Sequence, residues 1–252
     1  MKTNLIQTAV SLFLMLGCIS CDAVSSEKDP KKDSVSSEKS SKTKEGFISL
    51  FNGENLEGWH GFNKTEEVEN WKVEDGAMVC LGAAADASGG DLVSDQEFEN
   101  FELIWEWKVT KGGNSGVMYH VVESSKYHAP YETGPEYQMI DDIGFPEKLD
   151  ETQKSGADYA MYATNEKKKL MPVGEWNSSK IIFDNGHVEH WLNGEKVLEF
   201  EAWEDDWKKR KEEGKWKSFP DYGKAKKGRI ALQDHGNKVY FKDIYIKELN
   251  KN

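Results

Sequence analysis

The stretch Phe101-Glu102-Leu103-Ile104-Trp105-Glu106-Trp107-Lys108-Val109 decides the fold. Phe101, Leu103, Trp105, Trp107 and Val109 recur at a period of two, and the alternate positions are mostly charged. That pattern belongs to an antiparallel strand with one face on a core and one in water. The same reading extends outward. Ile181-Ile182-Phe183 runs through Asp184-Asn185-Gly186 into His187-Val188-Glu189-His190-Trp191-Leu192, and Asn193-Gly194 leads on to Glu195-Lys196-Val197-Leu198-Glu199-Phe200. Asn-Gly between alternating runs predicts tight hairpins, because both central residues need positive φ. Gly228 to Gln233 and Lys238 to Glu248 read as closing strands, and the apolar phase slips between Phe241 and Ile244, which predicts a β-bulge. One helix is expected over Trp203 to Glu213, with acids early, bases later and Gly214 to end it. Many short strands, frequent turns and one short helix predict an all-β sandwich.

Composition narrows the function. The chain has 252 residues, 33 basic and 45 acidic, a net charge of −12 that argues against nucleic-acid binding. Nine Trp, nine Tyr and eleven Phe suit a β-rich core and carbohydrate contacts. Lys2 and the apolar run Leu5 to Gly17, too short to span a bilayer, read as a signal peptide over residues 1–21. Gly17-Cys18 at its end predicts a bacterial lipoprotein acylated at Cys18, with Cys21 as the rival, and so a membrane partner and a place in the cell envelope. Residues 22–45 hold six Lys, six acids and almost nothing apolar, which predicts a disordered tether. The whole negative balance then sits on one domain over 46–252. Its single cysteine, Cys80, reads as a small buried hydrophobe. No Gly-x-Ser-x-Gly, P-loop or dinucleotide fingerprint is present.

Seven short motifs follow in order: Leu50-Phe51-Asn52-Gly53 with Gly58-Trp59, Trp71 to Gly76, Gly113-Asn114-Ser115-Gly116, Gly134-Pro135-Glu136-Tyr137-Gln138, Gly174 to Asn177, His190-Trp191-Leu192-Asn193-Gly194 and Leu232-Gln233-Asp234-His235-Gly236. Together they resemble the 3-keto-disaccharide hydrolase domain, long known as domain of unknown function 1080, over about Phe47 to Leu249. The resemblance implies a concanavalin A-like jelly roll of two curved antiparallel sheets, a carbohydrate substrate and glycoside chemistry. It also places His120 where family members often carry an arginine.

A 3-keto group acidifies the neighbouring C2–H, so a base can remove that proton, the C1 substituent leaves, and water adds back. Such a site needs a base, an acid and a stabiliser for the enolate. Glu136 is the first candidate, with Gln138 on the same strand face. His235 is the second, oriented by Asp234 or a nearby carbonyl, and Gln138, Asn114 and Asp234 would position the sugar. Asn114 and Ser115 are placed to bind sugar hydroxyls or to shape a turn, His120 is a substrate contact implied by the resemblance, and Trp59 or Trp176 would stack on a sugar ring. Asp141-Asp142 reads as a turn or as an oxygen site for a divalent cation. His187 and Glu189 share a face without a third ligand at zinc spacing. Lys167-Lys168-Lys169 reads as a solvated loop. No cofactor is required by these residues, and a divalent cation stays open. Two other functions compete: a non-catalytic carbohydrate-binding lipoprotein, and ordinary glycoside hydrolysis, which needs a second acid about 5 to 9 Å from Glu136.

Overall fold

The computed structural model describes residues 45–65, 68–82 and 90–249. The expected lipoprotein signal with Cys18 and Cys21, and the tether but for Glu45, lie outside the described residues. Thirteen strands are described: β1 Ile48–Ser49, β2 Trp59–Gly61, β3 Trp71–Glu74, β4 Ala77–Cys80, β5 Leu92–Phe98, β6 Phe101–Val109, β7 Asn114–Val121, β8 Glu136–Ile140, β9 Asn177–Asp184, β10 His187–Leu192, β11 Glu195–Glu201, β12 Gly228–Leu232 and β13 Val239–Glu248. They form two antiparallel sheets. The first runs β11-β10-β9-β6-β13-β4-β3, with β1 also on β13; the second runs β2-β5-β12-β7-β8. This is the all-β, concanavalin-like sandwich expected from the alternating pattern.

The strand that decides the fold behaves as read. β6 alternates buried and half-buried residues along its whole length, at the centre of the first sheet between β9 and β13. Asn185 and Gly186, and again Asn193 and Gly194, all take positive φ in the two hairpin turns. β13 breaks register between Lys242 and Tyr245, with Asp243 at φ 51°, so the predicted bulge is present. The helix α1, Asp205–Glu213, starts two residues later than expected, because Trp203 itself takes φ 69°. Among the described residues no helix is long and apolar enough to cross a membrane.

The sheets are joined by polar atoms as well as by apolar packing. Tyr137 points from β8 into the core, where its hydroxyl meets Ser179 Oγ on β9 at 2.9 Å and donates to the Trp191 carbonyl at 3.1 Å. Trp107 Nε1 donates to the same Ser179 Oγ at 2.8 Å. Trp107 is 0% exposed, so its indole N–H would be orphaned without this serine. With Tyr137 facing inward, the alternation of a strand sends Glu136 and Gln138 to the opposite, outer face of the second sheet. Tyr137→Phe is expected to cost about 1–2 kcal/mol, the worth of its hydroxyl bonds. Tyr137→Ala is expected to cost about 3–5 kcal/mol. Urea unfolding of the two variants checks both values, and equal losses would contradict the hydroxyl link.

Candidate functional site

The outer face of the second sheet is built from residues that alternate with its core. Val93, Met118 and Ala231 form a small apolar cluster there with Phe62 and Val121. Counting back along β5 puts Asp91 on the same face as Val93, just before the strand begins. Leu232 pairs with Leu92 on one side and Val117 on the other, so Gln233 comes opposite Asp91 and Gly116. Gly116 in turn pairs with Gln138. A single row therefore crosses four chain segments: Asp91, Gln233, Gly116, Gln138. Glu136 stands one step along β8 from that row.

Gly116 leaves the space that Glu136 fills. A methyl group at Gly116 would overlap Oε1 of Glu136, so the carboxyl lies across the glycine, toward the middle of the row. Glu136 is only 3% exposed and its Oε1 has no hydrogen-bond partner. Burial pushes its pKa up to about 8; the Lys215 ammonium pulls the other way, and the charge of Asp91 adds to the rise. Burial likewise pushes Asp91 up to about 7, although it accepts a hydrogen bond from the Asp234 amide at 2.7 Å. Two further buried acceptors on this face have no partner, Gln233 Oε1 and Asn114 Oδ1. Unpaired acceptors suit a ligand rich in hydroxyl donors.

Around Glu136 stand groups that carry no periodic signal in the sequence. Tyr159 N donates to the Glu136 carbonyl at 3.0 Å, so the segment after β8 pairs with it as an irregular edge. Asp158 in that segment is 0% exposed with both oxygens unpartnered, and burial, then Glu136, hold its pKa well above the usual carboxylate range. The hydroxyls of Tyr119 and Tyr222 are also buried without partners, and both titrate well above 10 because of burial. Lys215 Nζ sits 4.3 Å from the ring centre of half-buried Tyr159 and 5.9 Å from that of Tyr131. Asp91 could have been found by extending the β5 alternation one step. Asp158 and Lys215 could not, since neither lies on a strand.

The other expected residues fall as follows. Gln138 shares the face of Glu136, but its Oε1 accepts from the Met139 amide. Asn114 reaches the same face, whereas Ser115 donates to the Gln233 carbonyl at 2.7 Å and serves the backbone. Asp234 is not free to bind sugar: it accepts from Asn70 Nδ2, the amides of Gly90 and Gly236, and Cys80 Sγ. His235 is exposed, and no contact among the described residues joins it to Glu136. His120 belongs to the core, not to a substrate surface. Its Nε2 is satisfied by the Glu99 carbonyl at 2.8 Å, its ring packs on Phe101 and Phe183, and burial lowers its pKa to about 4. The Trp59 ring is buried in the core with Nε1 donating to the Leu50 carbonyl, so it offers no stacking face. Trp176 lies on the first sheet under Lys108 and Lys242.

The acidic pair resolves as a turn. Asp141 accepts from the amides of Gly112, Ile143 and Gly144, and Asp142 from the Ser155 amide and the Lys168 ammonium. Their oxygens are committed, and Lys168 is not the solvated lysine expected. His187 and Glu189 gain Glu199 across the hairpin, with ligand atoms within 4.8 Å. Lys196 already bridges Glu189 and Glu199 there. Cys80 is buried as expected, and burial raises its thiol.

Known proteins resemble this chain in sequence and fold. Residues 46–247 match the model of the 3-keto-alpha-glucoside-1,2-lyase-like domain. The 3-keto-disaccharide hydrolase of Bacteroides thetaiotaomicron is 35% identical over 231 residues, covering 82% of this chain and 79% of that protein. A solved structure of a candidate glycosyl hydrolase from Parabacteroides distasonis is 48% identical, with a TM-score of 0.76, covering 82% of this chain and 95% of that one. A second candidate glycosyl hydrolase from the same organism is 25% identical with a TM-score of 0.62, over 81% and 99%. By the match over its whole described body, the chain belongs to the 3-keto-alpha-glucoside-1,2-lyase-like domain family.

Proposed function

We propose that this domain is a hydrolase acting on sugars that cleaves glycosides of 3-keto sugars by elimination and rehydration. One observation carries the reading: half-buried Asp91 and buried Glu136 share a sheet face, and both carboxyls are pushed above the ordinary carboxylate range, to about 7 and about 8. Environments that push two carboxyl pKa values apart separate an acid from a base. In the proposed cycle Asp91, as carboxylate, takes the C2 proton acidified by the ketone. The C2–H electron pair forms the C1=C2 bond while the C1–O bond breaks. Glu136, protonated at neutral pH, gives its proton to the departing oxygen. Water then adds across C1=C2: Glu136, now a carboxylate, takes a proton from water as its hydroxyl joins C1, Asp91 returns its proton to C2, and both carboxyls regain their starting forms. The net reaction consumes one water per bond cleaved. Asn114 and Gln233 would accept from sugar hydroxyls, and Tyr159 and Tyr131 would face the ring. Asp91 takes the role that the sequence suggested for His235, since His235 is exposed on the loop beyond Asp234.

Asp91 also offers a second acid on the face of Glu136, and ordinary hydrolysis by the two carboxyls is the second reading. The two differ in substrate. The chain is expected to release free sugar from a 3-keto disaccharide and not from its unoxidised parent. Equal release from both would replace elimination with direct hydrolysis, and binding without release would leave a carbohydrate-binding module.

The pH dependence follows from the two carboxyls. The base must be deprotonated, so kcat/KM should rise as pH climbs through about 7. The acid must be protonated, so kcat/KM should fall as pH climbs through about 8. A narrow bell between these values is expected. Glu136→Gln should remove the alkaline limb and lower kcat by roughly 100-fold or more. A variant that retains both limbs would exclude Glu136 as the acid.

Gly116→Ala tests the geometry apart from the chemistry. The added methyl displaces the Glu136 carboxyl while removing no titratable group from the chain. Activity should drop by roughly 100-fold, as expected of a misplaced catalytic group. Circular dichroism should stay native, and full activity would show that Glu136 does not need to lie over this glycine.

A further inference from the structure

A second cavity lies outside the row of Asp91 and Glu136. It has a volume of about 570 Å³ and is walled by Trp203 and Trp207, with lysines 208, 211, 217, 224 and 226 around it and Glu212 as its only acidic lining residue. On a chain of net charge −12 this is an island of positive potential. Lys208 and Lys224 are partly neutralised, by Asp205 at 3.8 Å and Asp221 at 3.3 Å. Lys211 spends two donors on the carbonyls of Pro220 and Tyr222. Lys217 and Lys226 are exposed and pair with no carboxylate among the described residues. Lys226 Nζ stands 5.0 Å from the Trp203 ring centre, leaving cation and indole side by side. Trp207 is buried, and its Nε1 is a donor without an acceptor. The site thus presents lysine donors beside the Trp203 indole, with Glu212 as its acidic lining residue.

We propose that this cavity binds an acidic saccharide, its carboxylate or sulfate on Lys217 and Lys226 and its ring against the half-buried Trp203 indole. A sugar has the apolar C–H face that an indole receives, and an anionic substituent gives the lysines a partner. The saccharide part of the assignment rests on the reading of the domain as sugar-acting. The cavity is also mechanically joined to the Glu136 face. Trp207 stacks on Tyr222 at 6.0 Å, Tyr222 on Trp216 at 4.1 Å, and Trp216 Nε1 donates to the Tyr159 carbonyl beside Glu136. An acidic chain held here would lie on the same wall that borders the proposed catalytic face.

Calorimetry on the full domain tests this without any need for cleavage. The titrants are an oligogalacturonate, a sulfated chondroitin hexasaccharide, a neutral maltohexaose, inorganic sulfate and adenosine monophosphate. One or both acidic oligosaccharides should bind, and which one does tells carboxylate from sulfate. Binding should weaken as salt rises from about 50 to about 500 mM. The double variant Lys217→Ala, Lys226→Ala should lose about ten-fold in affinity while cleaving a neutral 3-keto disaccharide at the unchanged rate. Equal binding of maltohexaose, or adenosine monophosphate or sulfate alone binding as tightly, overturns the proposal. So does a double variant with unchanged affinity. Absence of cleavage by the unsubstituted domain, with its acidic-saccharide binding present, would overturn only the catalytic reading.

Discussion

The hydroxyl of Tyr137 fixes which way β8 faces. It binds Ser179 and the Trp191 carbonyl on the opposite sheet, and Ser179 also holds the Trp107 indole. A strand has only two faces, so anchoring one residue inside settles the direction of its neighbours. Glu136 and Gln138 are turned to the outer face for this reason. Sliding β8 by one residue would drive a carboxyl and an amide into the apolar interior and bring a tyrosine out. The position of the acid is thus enforced by core packing several ångströms away from it.

The outer face then works against its own solvation. Glu136 and Asp91 are drawn back from water on this face, and Asp158 on the inner side opposite Tyr137, so their neutral forms gain at the expense of the charged ones. Only Lys215 opposes this for Glu136, from an exposed position. A structural site would have given each oxygen an amide, as Asp141 and Asp234 have. The contrast between the satisfied acids and the unsatisfied ones separates scaffold from site more clearly than burial does, because each kind includes a buried and a half-buried carboxyl.

Much of the scaffold was legible in the residues. The period-two run of β6, the two Asn-Gly turns and the bulge in β13 all follow from local rules that tertiary packing does not override. The site was legible only in part. Glu136, Gln138 and Asn114 lie on regular strands, so alternation placed them. Asp91 sits one residue before a strand, and Asp158 and Lys215 on irregular segments, where sequence spacing carries no direction. His120 misled because position along a motif says nothing of a left-handed φ that turns the imidazole to the Glu99 carbonyl. Asp234 and Trp59 misled for another reason. Motif residues that bind backbone or build a core are as fixed in pattern as those that touch a ligand.

Asp234 has a further consequence. Its carboxylate takes the Gly90 amide, Asn70 and Cys80, while Gly82 packs so closely on Gly236 and Asn237 that no side chain would fit. The chain is therefore clamped at residues 82 and 90, directly before Asp91. Asp91 thus enters β5 from an anchored stretch of backbone, and its own carboxylate accepts from the amide of the same Asp234 that holds Gly90. One carboxylate of the scaffold therefore sets the starting point of the strand that carries another to the proposed catalytic face.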